Sequence, residues 1–380
     1  MFINKATSYI KRLLIVASVN FFILFVLFFI LELIFTSYDY YKNKKTSNSK
    51  TMEFDYREPY PYIMFHSTPN VDISINSEQQ KGKLGNLTHI VTNRYGFRYN
   101  NNLDEKKHNE IRIFILGGSV VFNGLTNETT ISGYLEKMLN ERYNGKYQIR
   151  VVNAGIVSAV SSQELALLTN TVIDLKPDIM IFFDGFNDAN TSFNFEKRLG
   201  FPFNFKLYEG ATNRAIDDLT TMDKLLSASH FLTKISPSLD MKNRLNVIMQ
   251  KMNEKSNQNS SYEFTDSILY FINNWEKMYK ISKAYNLKTL FILQPVNPKY
   301  RNYNYNHQEV IGYIDSFNMN VNNIILELKR KYNSNDFVSF DGILDHHPEY
   351  FRDTVHTYDE GNLFYAQKIE ELLVNGGYIK

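Results

Sequence analysis

Five short apolar segments, separated by longer amphipathic ones, constrain the fold of this chain most. Each segment is a nearly continuous apolar run, which is typical of strands buried on both faces of a parallel sheet. They lie at residues 111–116, 149–152, 179–183, 289–293 and 337–340. Between them, apolar residues recur at spacings of three and four, which predicts helices at residues 132–143, 162–175, 264–285 and 310–332. This alternation predicts an α/β fold with a doubly wound parallel sheet.

The N-terminal region contains an apolar stretch at residues 13–31, interrupted by only two polar residues. About 20 apolar residues are enough for a helix to cross a bilayer, and the stretch lacks the polar face of a core helix. It is longer than the apolar part of a typical signal peptide, and the residues 32–34 that follow form no small-residue cleavage site. We therefore predict a single transmembrane anchor within residues 1–36.

The polar segment 37–53 is rich in Lys, Asn, Ser and Thr and predicts a solvated linker between the membrane and the folded body. The body then comprises residues 54–380. Within it, residues 193–262 fit the strand and helix alternation poorly, so we predict a partly helical insertion there. Such an insertion either covers a functional site or decorates the periphery, and the sequence leaves both open.

Composition excludes several classes of function. The net charge of +2 is close to balance and the basic residues are scattered, so we do not expect a nucleic-acid partner. The chain has no cysteine, which excludes disulfides, thiolate nucleophiles and cysteine-ligated metal sites. A nucleophile in this protein must therefore be an oxygen or nitrogen atom.

Small and polar residues follow three of the predicted strands. Ser119 comes after a glycine pair at the end of the first, Gly155 ends the second, and Asn187 follows the third. The carboxyl ends of parallel strands meet at one edge of a sheet, where open α/β sheets bind their ligands. Each of these short segments alone is also compatible with an ordinary turn or helix cap. Their shared position indicates a site that contains a hydroxyl group and an amide.

Near the C-terminus, Asp353 precedes His356 by three residues, a spacing that lets both side chains face one site. A serine hydroxyl is a poor nucleophile at neutral pH and needs such a base with an orienting carboxylate. His346 and His347 are alternative bases. A metal site built from these histidines is a further alternative, but their spacing matches no helical zinc pattern, and we expect neither a metal nor a cofactor.

Taken in chain order, four segments resemble the motifs of the GDSL/SGNH hydrolase superfamily. They are Gly117-Gly118-Ser119 with Gly124, Asn153-Ala154-Gly155, Gly185-Phe186-Asn187-Asp188 and Asp353-Thr354-Val355-His356. The resemblance covers roughly residues 112–373 except the insertion, and it implies a flavodoxin-like three-layer α/β/α fold.

The resemblance also implies roles for individual residues. Ser119 is then the nucleophile. Its own N–H, the N–H of Gly155 and the amide of Asn187 form the oxyanion hole, while Asp353 and His356 complete the catalytic triad.

The chain departs from the family at Gly118, where the namesake motif has aspartate. Variants with two glycines before the serine resemble a branch of the family. The segment Thr92-Asn93-Arg94-Tyr95-Gly96-Phe97-Arg98 looks like another feature of that branch, and we expect it to pack against the sheet or line the site.

Anchored members of the family resemble proteins that edit acyl groups on bacterial surface or periplasmic glycans. The resemblance therefore implies a membrane-tethered esterase that removes acetyl or another short acyl group from a carbohydrate. Its catalytic domain would lie outside the cytoplasm at the bacterial inner membrane, in the periplasm or on the outer face, with a membrane-bound acyltransferase or glycan-assembly protein as a partner. An O-acetyltransferase with the same triad and a catalytically silent glycan-binding module are the alternatives.

Overall fold

The computed structural model describes residues 2–47, 57–76, 87–103, 105–194, 198–202, 205, 228–236, 264–298 and 308–379. The chain divides into two compact units, which are Met1–Glu53 with Lys206–Asn259 and Phe54–Phe205 with Ser260–Lys380. Most of the predicted insertion at residues 193–262 lies outside the described residues.

The first unit contains the N-terminal helix α1 (Phe2–Ser47). Within this helix, the stretch Lys11–Tyr41 is exposed and has a mean hydropathy of 2.9. The stretch is long and apolar enough to cross a membrane, as an anchor or as a signal sequence. The helix continues through residues 37–47, which the sequence predicted to be part of a linker. These residues include no proline or glycine, so nothing in their backbone ends the helix.

The same unit includes a short helix, His230–Ile235, that contacts α1. Glu32 of α1 accepts hydrogen bonds from the Ser229 hydroxyl and from the His230 main-chain N–H, each at 2.7 Å. These bonds satisfy a carboxylate that directly follows the apolar stretch and use N–H groups that the short helix leaves free at its start.

The second unit begins with two small antiparallel sheets that the sequence pattern did not reveal. Strand β1 (Arg57–Tyr60) pairs with β2 (Met64–Ser67), and β3 (Asp72–Asn76) pairs with β4 (Leu87–Val91). With only four or five residues per strand, the alternation of apolar and polar residues is too short to be a clear signal.

All five predicted strands are present in one parallel sheet within the described part of the second unit. They are β5 (Glu110–Gly117), β6 (Gln148–Gly155), β7 (Ile179–Asp184), β8 (Lys288–Leu293) and β9 (Phe337–Ser339). Their spatial order is β6-β5-β7-β8-β9, so within this sheet the second strand is at the edge and the first lies beside it. This is the strand order of flavodoxin-like folds, and the predicted fold class is confirmed.

Helices lie on both faces of the sheet. They are α2 (Ser119–Phe122), α3 (Ile131–Arg142), α4 (Ser161–Leu167), α5 (Phe186–Asn194), α6 (Phe264–Ala284), α7 (Gln308–Tyr332) and α8 (Asp359–Asn375). Phe183 of β7 packs on Tyr365 of α8, whereas its neighbour Phe182 stacks on Phe291, which packs on Trp275 of α6. Successive strand residues point to opposite faces, so α8 and α6 cover opposite sides.

The helix predicted at residues 162–175 is interrupted. Regular α-helix ends at Leu167, and a wider π-type turn (Leu168–Val172) and a 3-10 turn (Ile173–Leu175) follow. The Thr169 hydroxyl and the Asn170 amide donate to main-chain carbonyl groups one turn earlier. Such bonds compete with the regular helical pattern. The spacing of apolar residues does not reveal them, and for this reason it predicted an unbroken helix.

Substitution of Phe291 tests the aromatic core of the sheet. Its buried ring stacks on Phe182 and Phe337, with centroid separations of 4.6 and 5.0 Å. We expect Phe291→Ala to lower the free energy of unfolding by about 3–5 kcal/mol, measured by urea denaturation of the full chain in detergent micelles. Tyr285→Ala, at a position that is 58% exposed, is the control and should cost less than about 0.5 kcal/mol. Equal losses for the two variants would contradict this packing.

Candidate active site

Ser119 lies just beyond the carboxyl end of the sheet's first strand. β5 ends at Gly117, Gly118 precedes helix α2, and Ser119 is the first residue of that helix. The main-chain N–H of Ile156, which follows β6, donates to the Gly117 carbonyl group at 2.9 Å and ties the ends of the two strands together. Ser119 is half-buried, so a substrate can reach its hydroxyl group.

His356 joins Ser119 to Asp353. Its Nε2 atom lies 2.7 Å from the Ser119 Oγ atom, and its Nδ1 atom lies 2.8 Å from Oδ2 of Asp353. The imidazole is partly exposed, with 23% of its side-chain surface accessible. The three side chains therefore form one hydrogen-bonded chain at the carboxyl edge of the sheet.

The ionisation of Asp353 fixes the direction of these hydrogen bonds. Burial raises the pKa of this carboxyl group, but hydrogen bonds from the His356 ring and from the main-chain N–H groups of His356 and Val355, together with the His356 charge, outweigh burial and lower the pKa to about 2. At neutral pH the carboxylate can only accept, so Nδ1 of His356 carries the hydrogen. Nε2 is then free to accept the proton of the Ser119 hydroxyl.

Asn297, in the loop after β8, holds the turn that carries the histidine. Its main-chain N–H donates to the Thr354 carbonyl at 2.9 Å, and its side-chain amide donates to the Asp353 carbonyl at 3.0 Å. The Arg352 N–H donates to the His356 carbonyl at 2.8 Å and closes the turn. The turn is therefore attached to the sheet edge next to it.

Besides Ser119 itself, the two other residues expected to bind an oxyanion, Gly155 and Asn187, both lie against Gly118. The Asn187 amide donates one hydrogen to the Ala159 carbonyl at 2.7 Å, which leaves its second hydrogen to point elsewhere. The Gly155 N–H donates to the Asn153 side-chain oxygen at 3.1 Å. A methyl group added at Gly155 would come within 3.0 Å of the Gly118 carbonyl oxygen, which shows how closely the two segments approach.

The geometry also gives a reason for the glycine at position 118. A Cβ atom built there would lie 2.2 Å from the Asn187 amide nitrogen, far inside van der Waals contact. An aspartate at this position, as in the family's namesake motif, would displace the Asn187 side chain. The departure at Gly118 is thus matched to the position of Asn187.

The structure brings together all five residues that the sequence predicted, namely Ser119, Gly155, Asn187, Asp353 and His356. The alternative bases lie elsewhere: His346 is exposed, and His347 pairs with Glu349 at 3.1 Å and stacks on Tyr350. Among the described residues, no group of three or more histidines and carboxylates is arranged to hold a metal ion.

Three buried carboxyl groups that the sequence analysis missed lie close to Asn187 in the fold. Asp188 accepts hydrogen bonds from the Ser161 hydroxyl at 2.6 Å and from its N–H at 3.0 Å, and burial raises the pKa of Asp188 to about 6. Burial also raises the pKa of Asp184 and that of Glu164, which the neighbouring Asp184 charge raises further. Two carboxyl groups in contact inside a protein disfavour each other's ionisation, so one of the pair keeps its proton to a higher pH than a free carboxyl group does.

A signal for this cluster was present in the sequence but not specific. Asp184 and Asp188 flank the Asn187 motif, where acidic residues are also common turn residues. Only the fold shows that helix α4 brings Glu164 to them and that Trp275 donates to Asp184 at 2.9 Å.

No family model and no curated protein matches this sequence. Among solved structures, an acetylxylan esterase from Geobacillus stearothermophilus is 15% identical over 71% of this chain and 96% of its own, with a TM-score of 0.40. A Desulfitobacterium hafniense protein described as a lipolytic protein of the G-D-S-L family is 13% identical over 69% of this chain and 99% of its own, with a TM-score of 0.37. LAE5, an α/β hydrolase from the metagenome of Lake Arreo, is 14% identical over 73% of this chain and 100% of its own, with a TM-score of 0.37.

Fold and site together define a class of protein. A serine, a histidine and an aspartate, hydrogen-bonded in that order at the carboxyl edge of a flavodoxin-like sheet, have the arrangement of the catalytic triad of a serine hydrolase.

An Asp184→Asn variant tests the proton that this pair retains. A carboxyl group whose pKa is raised in the folded protein binds its proton more weakly in the unfolded chain, so stability falls as pH rises above about 4 towards the raised pKa. Asparagine imitates the neutral carboxyl group and does not ionise. We therefore expect this variant to lose less unfolding free energy than the wild type between about pH 5 and pH 8, measured by urea denaturation. Asp174→Asn, at an exposed position, should keep the wild-type slope, and an unchanged slope in Asp184→Asn would count against the retained proton.

Proposed function

We propose that this chain is a membrane-anchored serine esterase of the SGNH type that removes acetyl or another short acyl group from a carbohydrate outside the cytoplasm. The observation that carries the proposal is the hydrogen-bonded chain from Asp353 through His356 to Ser119. Half-burial of the serine and partial exposure of the imidazole leave both open to an ester.

The acylation step follows from the positions of these groups. Ser119 Oγ attacks the ester carbonyl carbon while Nε2 of His356 takes the hydroxyl proton. The imidazolium that forms is stabilised by the Asp353 carboxylate at Nδ1. Nε2 then gives the proton to the leaving sugar oxygen, and an acyl group remains on Ser119.

The negative charge that develops on the carbonyl oxygen needs donors near Ser119. The second hydrogen of the Asn187 amide and the main-chain N–H groups of Ser119 and Gly155 are the proposed donors. The Gly155 N–H must turn from the Asn153 oxygen towards the substrate or be shared between the two. Water activated by His356 then releases the acyl group and restores the serine.

The membrane and carbohydrate parts of the proposal have separate support. Part Lys11–Tyr41 of α1 has the length and apolar character of a membrane span, which suits an anchor that keeps the catalytic domain at a bacterial inner membrane. The extracytoplasmic glycan substrate and a glycan-assembly partner, such as a membrane-bound acyltransferase, rest on the resemblance to anchored members of the superfamily.

Substitution of the triad tests the mechanism. With p-nitrophenyl acetate as substrate and full-length protein in detergent micelles, we expect Ser119→Ala to lower kcat by at least about 10³-fold, because within the described part of the chain Ser119 carries the only hydroxyl bonded to the His356 ring. Asp353→Asn should also lower kcat by about 10³-fold or more, because the amide no longer fixes the imidazole tautomer. His347→Ala, which alters an exposed imidazole, is the control and should retain the wild-type rate. A Ser119→Ala enzyme as active as the wild type would refute the serine mechanism.

Product analysis distinguishes hydrolysis from transfer. Incubation of the full-length protein with an acetylated oligosaccharide and an unacetylated acceptor should yield free acetate and no newly acetylated acceptor, as followed by mass spectrometry. The Ser119→Ala variant provides the background release. Acetylated acceptor formed in place of acetate would identify an acetyltransferase instead. Failure of a fluorophosphonate to label Ser119, together with no turnover of either substrate, would favour a silent glycan-binding module.

A further inference from the structure

The segment from Thr92 to Arg98 has no place in the mechanism above, yet its backbone is tightly fixed. The Asn93 side-chain oxygen accepts hydrogen bonds from the N–H groups of Tyr95 and Phe97, at 2.9 and 3.2 Å. Gly96 has a φ of +76°, and a Cβ atom there would lie 2.1 Å from the Ser67 carbonyl oxygen. Arg98 directly follows this turn, which ends at Phe97. Its side chain points into the protein, and only 2% of the residue is exposed.

The Arg98 guanidinium reaches the segment that follows the candidate nucleophile. Nη1 donates to the Phe122 carbonyl at 2.5 Å, and Nη2 donates to the Gly124 carbonyl at 2.9 Å. Nε donates to the Asn127 side-chain oxygen at 3.0 Å, and Nη2 also reaches the His89 carbonyl at 3.2 Å. Phe122 is the last residue of α2, the four-residue helix that begins at Ser119.

Arg98 also contacts the strand that carries Gly155. Its main-chain N–H donates to the Asn153 carbonyl at 3.0 Å. The Asn153 amide in turn donates to the Val121 carbonyl at 2.6 Å, and its oxygen accepts from the Gly155 N–H. Arg98 therefore binds the carbonyl groups of Phe122 and Gly124 directly, and Asn153, to which it is hydrogen-bonded, binds the carbonyl group of Val121.

The same segment is joined to the loop of the histidine. The Asn123 amide donates to the Thr357 carbonyl at 2.6 Å, directly after His356. The Asn362 amide donates to the Asn123 carbonyl at 3.2 Å and to the Thr129 carbonyl at 3.0 Å. A shift of residues 121–124 would therefore change the separation of Ser119 and His356.

We propose that Arg98 is a positioning residue for the serine, an inference that rests on the esterase function proposed above. A four-residue helix is too short to be stable by itself, and the carbonyl groups at its end need partners from elsewhere. Arg98 supplies these partners and thereby sets the orientation of α2 and of the Ser119 hydroxyl at its start. Burying a guanidinium is costly, which makes a purely space-filling role a poor explanation.

The fork shape of the guanidinium is essential to this role. Nε, Nη1 and Nη2 donate in different directions to three separate acceptors within residues 122–127. A lysine at this position would keep the positive charge but could bind these acceptors only from one point. Arg98→Lys therefore removes the geometry while it retains the charge.

The test compares Arg98→Lys with Arg112→Lys in the full-length protein in detergent micelles. Arg112 is also 2% exposed and donates to Glu110 and to the Leu175 carbonyl, but it lies near the amino end of β5, more than about 15 Å along the strand from Ser119. Both variants should lower the melting temperature. Titration with a fluorophosphonate counts the reactive serines, so kcat for p-nitrophenyl acetate can be expressed per labelled site.

We expect Arg98→Lys to lower kcat per labelled site by at least about tenfold with KM changed less than about threefold, because misplacing a catalytic group by about 1 Å can cost up to 10²-fold. Arg112→Lys should keep the wild-type kcat per site. If Arg98→Lys does not fold, Asn127→Ser keeps the guanidinium but removes its Nε acceptor, together with the hydrogen bonds of Asn127 to Val91 and Asn100. This variant should lower kcat per site by about threefold or more.

The two proposals can fail separately. A wild-type protein that neither turns over p-nitrophenyl acetate nor reacts at Ser119 would overturn the esterase function. If the wild type does both, and Arg98→Lys or the milder variant keeps kcat per site within about twofold of it, Arg98 supports only stability and the positioning role is wrong.

Discussion

The candidate active site depends on the hydrogen bond between Ser119 and His356, which joins residues 237 positions apart in the sequence. The serine follows the first strand of the sheet, and the histidine lies in the loop before its last helix, α8. Parallel strands end at one edge, so loops from distant parts of the chain meet there. The sheet brings the loops to the same edge, but only loop contacts, such as those of Asn297 and Asn123, fix the side chains to within hydrogen-bonding distance.

The sheet and three of the site residues, Ser119, Gly155 and Asn187, were predictable for a physical reason. A strand covered on both faces is apolar throughout, so each of the five strands is visible in the sequence as a short run, and observed and predicted strand bounds differ by only a few residues. Once the strands are parallel, whatever follows their carboxyl ends must share one edge. The prediction that Ser119, Gly155 and Asn187 lie together needed no knowledge of their individual contacts.

What could not be predicted depends on contacts between residues far apart in sequence. The close approach at Gly118 involves the Asn187 side chain, and the buried cluster unites Glu164 with Asp184 across two elements. The contacts of Arg98 could not be predicted either, because nothing in the sequence near it indicates that its acceptors are the carbonyl groups after Ser119. The prediction missed the short strands β1 to β4 for a different reason, since an alternation of apolar and polar residues over so few positions resembles loop sequence.

The serine is held from two sides by groups of different chemistry. On the α2 side, the donors are a guanidinium and side-chain amides, whose hydrogen bonds persist across the physiological pH range. On the other side, helix α5 contributes two contacts: Asn187 donates to the Ala159 carbonyl, and Asp188 accepts from Ser161. Burial raises the pKa of Asp188 to about 6. The hydrogen bonds from Ser161 favour the charged form of Asp188 and so oppose the effect of burial. Of these two sets of contacts, only the one on the Asn187 side therefore depends on a group that can change its charge.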